Sequence, residues 1–353
     1  MRICFVVPTL ARGGMERVVS LLASYSVDKG YDVYIVCLIK KEMAYHLSDK
    51  VHVLAPPFAY KKGWVGKIKA TRYLIAVLKK LKPDAFISFS EVFNPLSILA
   101  ALVARVPVYI SDRSSPDKVL STFVQLLRRM TYPFAKGIVA QTEYSKRVSI
   151  QRKYNKNIVV IGNPLLHFEG VPPKKENIII SVGRLIPTKN FSELIDIFSE
   201  LGGNEGWHLW IIGEGPERCR LEEKIKRLSL DERVKLIGAV DNVEYYLSHA
   251  SVFAYTSLSE GFPNALSEAL AYPLPCIAYD CPAGPSEMIF DGENGFLIPL
   301  CDKESFKYRL DQLMRSPALR EQLVGQYVQH RDRFSTNRIS DCYLRFVLNK
   351  VDV

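Results

Sequence analysis

Short apolar runs rich in β-branched residues alternate along the chain with longer stretches of helical spacing, and glycines mark many of the turns between them. Runs at 2–7, 33–39, 85–90, 106–111 and 137–140 predict one set of strands; runs at 177–182, 208–212, 234–237, 251–255 and 275–279 predict a second. Strands alternating with helices imply parallel sheets, because a parallel pair needs a crossover long enough to hold a helix. Between the two sets lie Asn163-Pro164-Leu165-Leu166 and Val171-Pro172-Pro173-Lys174-Lys175-Glu176, a turn- and proline-rich stretch that reads as a linker. The expected architecture is α/β, with two doubly wound domains at 1–165 and 166–334 facing each other across a cleft and binding ligands at the carboxyl ends of their strands. A last helix is expected in 335–353, where Ile339, Tyr343, Phe346 and Val347 recur at helical spacing.

Length agrees with this division, since 353 residues exceed one ordinary core and suit two. No run approaches the roughly 20 apolar residues of a membrane-spanning helix, and the apolar run 3–10 is short and lacks a cleavage-site pattern. A cytoplasmic protein is expected. Seven cysteines without a CxxC pair, three of them (Cys4, Cys37, Cys276) in apolar strand-like contexts, read as reduced core thiols. No zinc is expected.

Charge changes the picture more than composition does. Residues 1–169 hold 26 Lys and Arg against 11 Asp and Glu, whereas the remainder holds 21 against 26. The densest part carries Lys61, Lys62, Lys67, Lys69, Arg72, Lys79, Lys80 and Lys82 without an acid, and Trp64, Ile68, Leu74, Ile75, Leu78 and Leu81 fall near one face of the helix it predicts. Such a basic amphipathic helix with an interfacial Trp suits an anionic bilayer. The plainer alternative is a surface helix whose apolar stripe faces the core and whose lysines are only solvated, and the two are compatible. Nucleic acid is not expected as a partner, because no recognised nucleic-acid motif accompanies the patch.

The candidate chemistry centres on Ser259-Glu260-Gly261-Phe262-Pro263-Asn264-Ala265-Leu266-Ser267-Glu268. Pro263 is predicted at the first helical position, so the amides of Asn264, Ala265 and Leu266 would point forward as an anion cradle. Glu260 then precedes the helix and Glu268 lies more than a turn inside it, where the two acids serve different parts of one long ligand. A glycosidase pair would instead stand about 5 to 9.5 Å apart across one scissile bond. An N-terminal acid favouring the helix dipole plus a solvated Glu is the plainer alternative. Arg184 and Lys189 have the residue types to grip a diphosphate, Arg with paired bonds and Lys as a compact charge. Gly13-Gly14 permits close backbone approach to phosphate or a tight turn, and Gly213 and Gly215 line a nucleotide pocket or turn the chain. The absence of GxGxxG at Gly13 argues against a dinucleotide oxidoreductase.

These residues form a wider pattern. The segments SLSEGFPNALSEALA, DCPAGPSEMIFDG and ENGFLI, Ser181-Val182-Gly183-Arg184-Leu185 with Lys189, Gly213-Glu214-Gly215-Pro216 and Gly13-Gly14-Met15-Glu16-Arg17 together resemble the retaining glycosyltransferases of family 4. The resemblance implies the GT-B fold of two Rossmann-like domains, with the C-terminal helix crossing back to the N-terminal one. It implies that Arg184 and Lys189 bind the diphosphate of a nucleotide-sugar donor, expected to be a UDP-sugar, that Glu260 holds sugar hydroxyls, and that Glu268 accepts from the ribose. Gly13, Gly14, Gly213, Gly215 and Phe262 to Leu266 complete the donor site. Retention follows from the same resemblance, with a diphosphate oxygen taking the acceptor's proton, so that no general base, metal or separate cofactor is implied. Two departures stand out. Where many relatives have a His, this chain has Ser111-Asp112-Arg113, which makes Asp112 and Arg113 candidates for orienting acceptor or donor, or a helix-cap turn; and Pro273 replaces a helix-ending Gly. The expected function is transfer of a hexose or N-acetylhexosamine to a lipid-linked or polysaccharide acceptor in surface-glycan synthesis, on the cytoplasmic face of a membrane. The alternatives are a silent sugar-nucleotide or membrane-binding module, and a synthase acting on a soluble sugar.

Overall fold

The computed structural model describes residues 1–11, 13–40, 43–44, 47–61, 63–165, 173–202, 206–272, 274–327 and 331–349, with no side-chain detail at 326, 327, 331 and 332. Lys62, Pro273 and the linker residues Leu166, Val171 and Pro172 lie outside them. The chain divides into two compact units, 1–164 together with 334–353, and 165–333.

In the first unit the strands are β1 (Arg2–Val7), β2 (Asp32–Cys37), β3 (His52–Leu54), β4 (Ala85–Phe89), β5 (Val108–Ser111), β6 (Gly137–Ala140) and β7 (Ile158–Val160). They form a parallel sheet of order β3-β2-β1-β4-β5-β6-β7. The second unit has β8 (Ile178–Val182), β9 (His208–Ile212), β10 (Val234–Gly238), β11 (Val252–Tyr255), β12 (Cys276–Tyr279) and β13 (Gly295–Ile298), parallel in the order β10-β9-β8-β11-β12-β13. Each sheet is covered on both faces, which is why its strands read as unbroken apolar runs. In β1, Ile3, Phe5 and Val7 enter one core and Cys4 and Val6 the other. The three strands absent from the sequence-based expectation, β3, β7 and β13, are all at sheet edges; β3 and β7 are three residues long and only half-buried, too short for a periodic signal.

The basic helix spans Trp64–Leu81 and serves two purposes. Ala70, Leu74, Leu78 and Leu81 dock into the core, but the expected apolar face does not hold at its start: Trp64 is 53 % and Ile68 50 % exposed. The last helix, Thr336–Leu348, is capped by Ser335 and places Ile339, Tyr343, Leu344 and Val347 in the core of the first unit. Tyr25 donates to Asp341 Oδ1 at 2.7 Å and fixes it to the helix Gly14–Asp28. Both sheets reverse their winding where the strand order switches, between β1 and β4 and between β8 and β11. Loops leaving neighbouring strands there diverge and open a crevice at their carboxyl ends, the usual place for ligands in such sheets.

Candidate active site

The switch point of the second unit brings together the residues that the sequence singled out. After β8 the chain runs through Gly183, Arg184 and Leu185 into a single 3-10 turn, Pro187–Lys189, and then helix Phe191–Glu200. After β11 it runs through Thr256, Ser257 and Glu260 into helix Asn264–Ala271. The two loops are bonded to each other: Leu258 N donates to Thr188 O at 2.8 Å, Ser257 Oγ to Thr188 O at 3.2 Å, and Thr256 Oγ1 to Lys189 O at 3.1 Å.

Within this frame Lys189 Nζ stands 2.5 Å from Glu260 Oε1, with both side chains largely buried. The same oxygen accepts from the Tyr255 hydroxyl at 2.5 Å and from Ser257 Oγ. Lys189 Nζ also lies 3.4 Å from the Tyr255 hydroxyl and over its ring. Burial, then the Glu260 charge, push the Tyr255 phenol well above its ordinary range, so it remains a donor. Three donors converging on one carboxylate oxygen fix the orientation of Glu260. The sequence reading assigned Lys189 and Glu260 to different parts of the ligand; the structure has them in direct contact. It also adds Tyr255 and Ser257, which carried no motif signal beyond standing at the end of a strand and shortly before an acid.

Arg184 is exposed at the loop tip, and its guanidinium has no partner among the described residues. Its loop is held by the second glycine pair. Leu185 N donates to Glu214 O and Glu217 N to Leu185 O, at 2.9 and 3.0 Å. Gly213 has φ +142°, and a Cβ there would stand 1.9 Å from Gly183 O; one at Gly215 would stand 2.3 Å from Leu185 O. These glycines are required by the packing of the arginine loop, a reading the sequence had not separated from pocket lining.

The expected cradle needs correction. Helix Asn264–Ala271 starts one residue later than anticipated, with Pro263 at the N-cap. The amide of Asn264 is taken by Phe262 O at 2.9 Å, so of the three predicted donors Ala265 and Leu266 remain as the first-turn amides. The Phe262 side chain is buried, and its carbonyl is the acceptor for the Asn264 amide. Glu268 lies half-buried on the helix, beyond the first turn.

In the first unit, Gly13 precedes helix Gly14–Asp28 with extended backbone, φ 176°, that any residue adopts; a Cβ there would meet the flexible end of Glu16. Asp112 follows β5 and is fully engaged: Arg128 Nη2 donates to its Oδ2, Tyr132 and Asn94 to its Oδ1 at 2.6 and 3.0 Å. Arg113 donates to Asn163 Oδ1 at 2.5 Å and to the Tyr343 hydroxyl at 2.7 Å, with its guanidinium against the Phe89 ring. Burial pushes the Arg113 pKa down. These contacts join β5 to neighbouring helices. Glu91, which sequence reasoning missed, follows β4 behind Ser90, whose φ of 117° is strained for a residue with a side chain. It is buried and accepts from Lys118 at 2.9 Å and from Ser114.

Comparison with known proteins places the chain in a family. The profile described as "Glycosyl transferases group 1" matches residues 162–329, and "Glycosyltransferase Family 4" matches 12–165. The amylovoran biosynthesis glycosyltransferase AmsD of Erwinia amylovora is 33 % identical over 88 % of this chain and 88 % of its own. An alpha-1,4-N-acetylgalactosaminyltransferase of Campylobacter jejuni, named for a glycan acceptor carried on undecaprenol diphosphate, is 28 % identical over 98 % of each. Among solved structures, HepE of Anabaena, in complex with UDP and glucose, superposes with a TM-score of 0.83 over 99 % of each chain at 17 % identity, and the lipopolysaccharide outer core galactosyltransferase WaaB with 0.76 over 99 % and 100 % at 22 %. Two GT-B-type parallel-sheet units, a lysine and a glutamate joined at a switch point and these matches agree: the chain belongs to glycosyltransferase family 4.

Proposed function

We propose that the protein transfers a hexose or N-acetylhexosamine, with retention of configuration and without a metal, from a UDP-sugar to a lipid-linked or polysaccharide acceptor of a surface glycan, at the cytoplasmic face of a membrane. The contact between Lys189 and Glu260 at the β8/β11 switch point carries this reading, because it joins a cation suited to a diphosphate to an oriented carboxylate suited to sugar hydroxyls. In the transfer the anomeric carbon–oxygen bond breaks and its electron pair passes to the diphosphate. The acceptor hydroxyl bonds to the same face of the anomeric carbon and gives its proton to a diphosphate oxygen. Arg184 and Lys189 stabilise the charge that grows on that leaving group, and the amides of Ala265 and Leu266, at the positive end of their helix, add to it. Glu260, held by Lys189, Tyr255 and Ser257, orients the sugar, and Glu268 accepts from the ribose.

The UDP complex of HepE and the lipid-linked acceptor named for the Campylobacter relative support the donor and acceptor classes. The Lys61 to Lys82 region supports attachment to anionic lipid. Calorimetry with UDP-, GDP- and ADP-sugars tests the donor: selective binding of the UDP-sugar, lost in Arg184→Ala and unchanged by chelator, is expected. Turnover of that sugar should give a product whose anomeric signal in NMR keeps the donor's configuration; an inverted product would reject the mechanism.

A further inference from the structure

A surface helix ordinarily turns its apolar face inward. Helix Thr122–Thr131 does the reverse. Its buried residues are Arg128 and Thr131, while Phe123, Leu126 and Met130 are 45, 53 and 60 % exposed. The orientation is fixed from within: Arg128 pairs with Asp112 and its guanidinium lies 5.0 and 4.9 Å from the ring centres of Tyr132 and Tyr154. Rotating the apolar face inward would break a largely buried ion pair, so the outward stripe is built into the fold.

The stripe continues beyond its own helix. The Phe123 ring meets the Trp64 ring edge-on at 4.8 Å, which joins it to the exposed first turn of helix Trp64–Leu81. Helix Asn94–Ala104 packs against both and exposes Leu99, Leu102 and Val103. Of the 17 large apolar residues exposed among the described residues, 11 fall between 64 and 134. Exposed apolar side chains on three helices that pack together, with Phe123 and Trp64 in ring contact, mark a binding surface. Its surroundings are cationic: residues 61–136 contain 14 Lys and Arg against 4 Asp and Glu. Two of those acids, Glu91 and Asp112, are paired with Lys118 and Arg128, and Lys67 Nζ lies 5.3 Å from the centre of the Trp64 ring.

We propose that the outward apolar face of helix Thr122–Thr131, with the Trp64 turn beside it, inserts into the interfacial region of an anionic bilayer. The inference rests on the membrane-bound reading above and deepens it: the lysines of helix Trp64–Leu81 draw the protein to the lipid, and Phe123, Leu126, Met130 and Trp64 enter it. Charge argues against a second copy as the occupant, since pairing this face with itself would bring the same cations together.

Flotation of the full chain with vesicles of phosphatidylglycerol and phosphatidylethanolamine tests this, at low and at high salt. Binding should persist in part at high salt, and the Phe123→Ser, Leu126→Ser, Met130→Ser triple variant should lower the vesicle partition coefficient by about 100-fold or more. All three side chains are exposed, so donor binding and melting temperature should stay unchanged and report an intact fold. Trp64 fluorescence, isolated by difference from Trp64→Phe, should be quenched by brominated lipid. A triple variant that floats like the parent, with flotation lost only when Lys67, Lys69, Arg72, Lys79 and Lys80 are neutralised, overturns insertion and leaves electrostatic attachment standing. A parent that floats with no vesicle overturns both readings. A concentration-dependent dimer abolished by the triple variant, in a protein that does not float, assigns the face to a contact between copies instead.

Discussion

At Glu260 one carboxylate oxygen accepts from three donors, and this convergence explains why an acid is retained in a largely buried place. Removing one donor leaves the others paired, but removing the cation leaves the acid uncompensated. Lys189→Ala should therefore weaken donor affinity by about 10- to 150-fold, the loss of a charge-assisted bond, and also lower the melting temperature. Tyr255→Phe should leave the melting temperature within a few degrees of the parent but reduce kcat/KM, because the carboxylate keeps its contact with Lys189 and loses part of its orientation. Calorimetry and steady-state kinetics on the two variants separate these effects; unchanged donor affinity in Lys189→Ala would remove Lys189 from the diphosphate site. The acid and the cation were legible separately as residue types within motifs. Their pairing was not, because 71 residues separate them and only the β8–β11 neighbourhood brings them together.

Elements show where periodicity carries its information and where it fails. The strands of both sheets were visible because burial on two faces demands unbroken apolar runs, while the short edge strands gave too few residues to read. Helix Trp64–Leu81 was legible as basic and amphipathic, yet its first turn lies outside the core that its later turns join. The loop after β4 gives a test at this scale. Burial pushes the Glu91 carboxyl up, but hydrogen bonds from Ser114 and Lys118 overcome it and hold the pKa below the ordinary 4.5. A carboxyl depressed in the folded state adds stability that is present above the unfolded value and lost as pH falls through the folded one. Urea denaturation of Glu91→Gln should show about 1–3 kcal/mol less stability at neutral pH and a flatter decline below pH 4.5. A parallel acid limb in the two proteins would mean that Glu91 is not a source of that decline.

On the scale of the whole molecule, the chain begins in the first unit, builds the second, and returns to complete the first. The return is anchored by Arg113, whose bond to Tyr343 spans 230 positions, and by Ile339, Leu344 and Val347 in the core. Tyr343→Phe should destabilise the first unit by about 1–3 kcal/mol, because it leaves a second nitrogen of a buried guanidinium without a partner beside Nε. Hydrogen exchange should locate the loss in helix Thr336–Leu348 and spare β8 to β13; uniform loosening of both units would contradict this assignment. The sequence by itself determined the α/β class, the two sets of parallel strands, the charge asymmetry and the family, because periodicity, composition and contiguous motifs are local properties of a chain. Only the tertiary structure decided that Lys189 and Glu260 are paired, that Gly213 and Gly215 support the arginine loop, that Asp112 and Arg113 join elements, and that helix Thr122–Thr131 faces outward. Each of these depends on which distant residues a side chain meets, and an apolar stripe along a helix carries no mark of the side from which it will be covered.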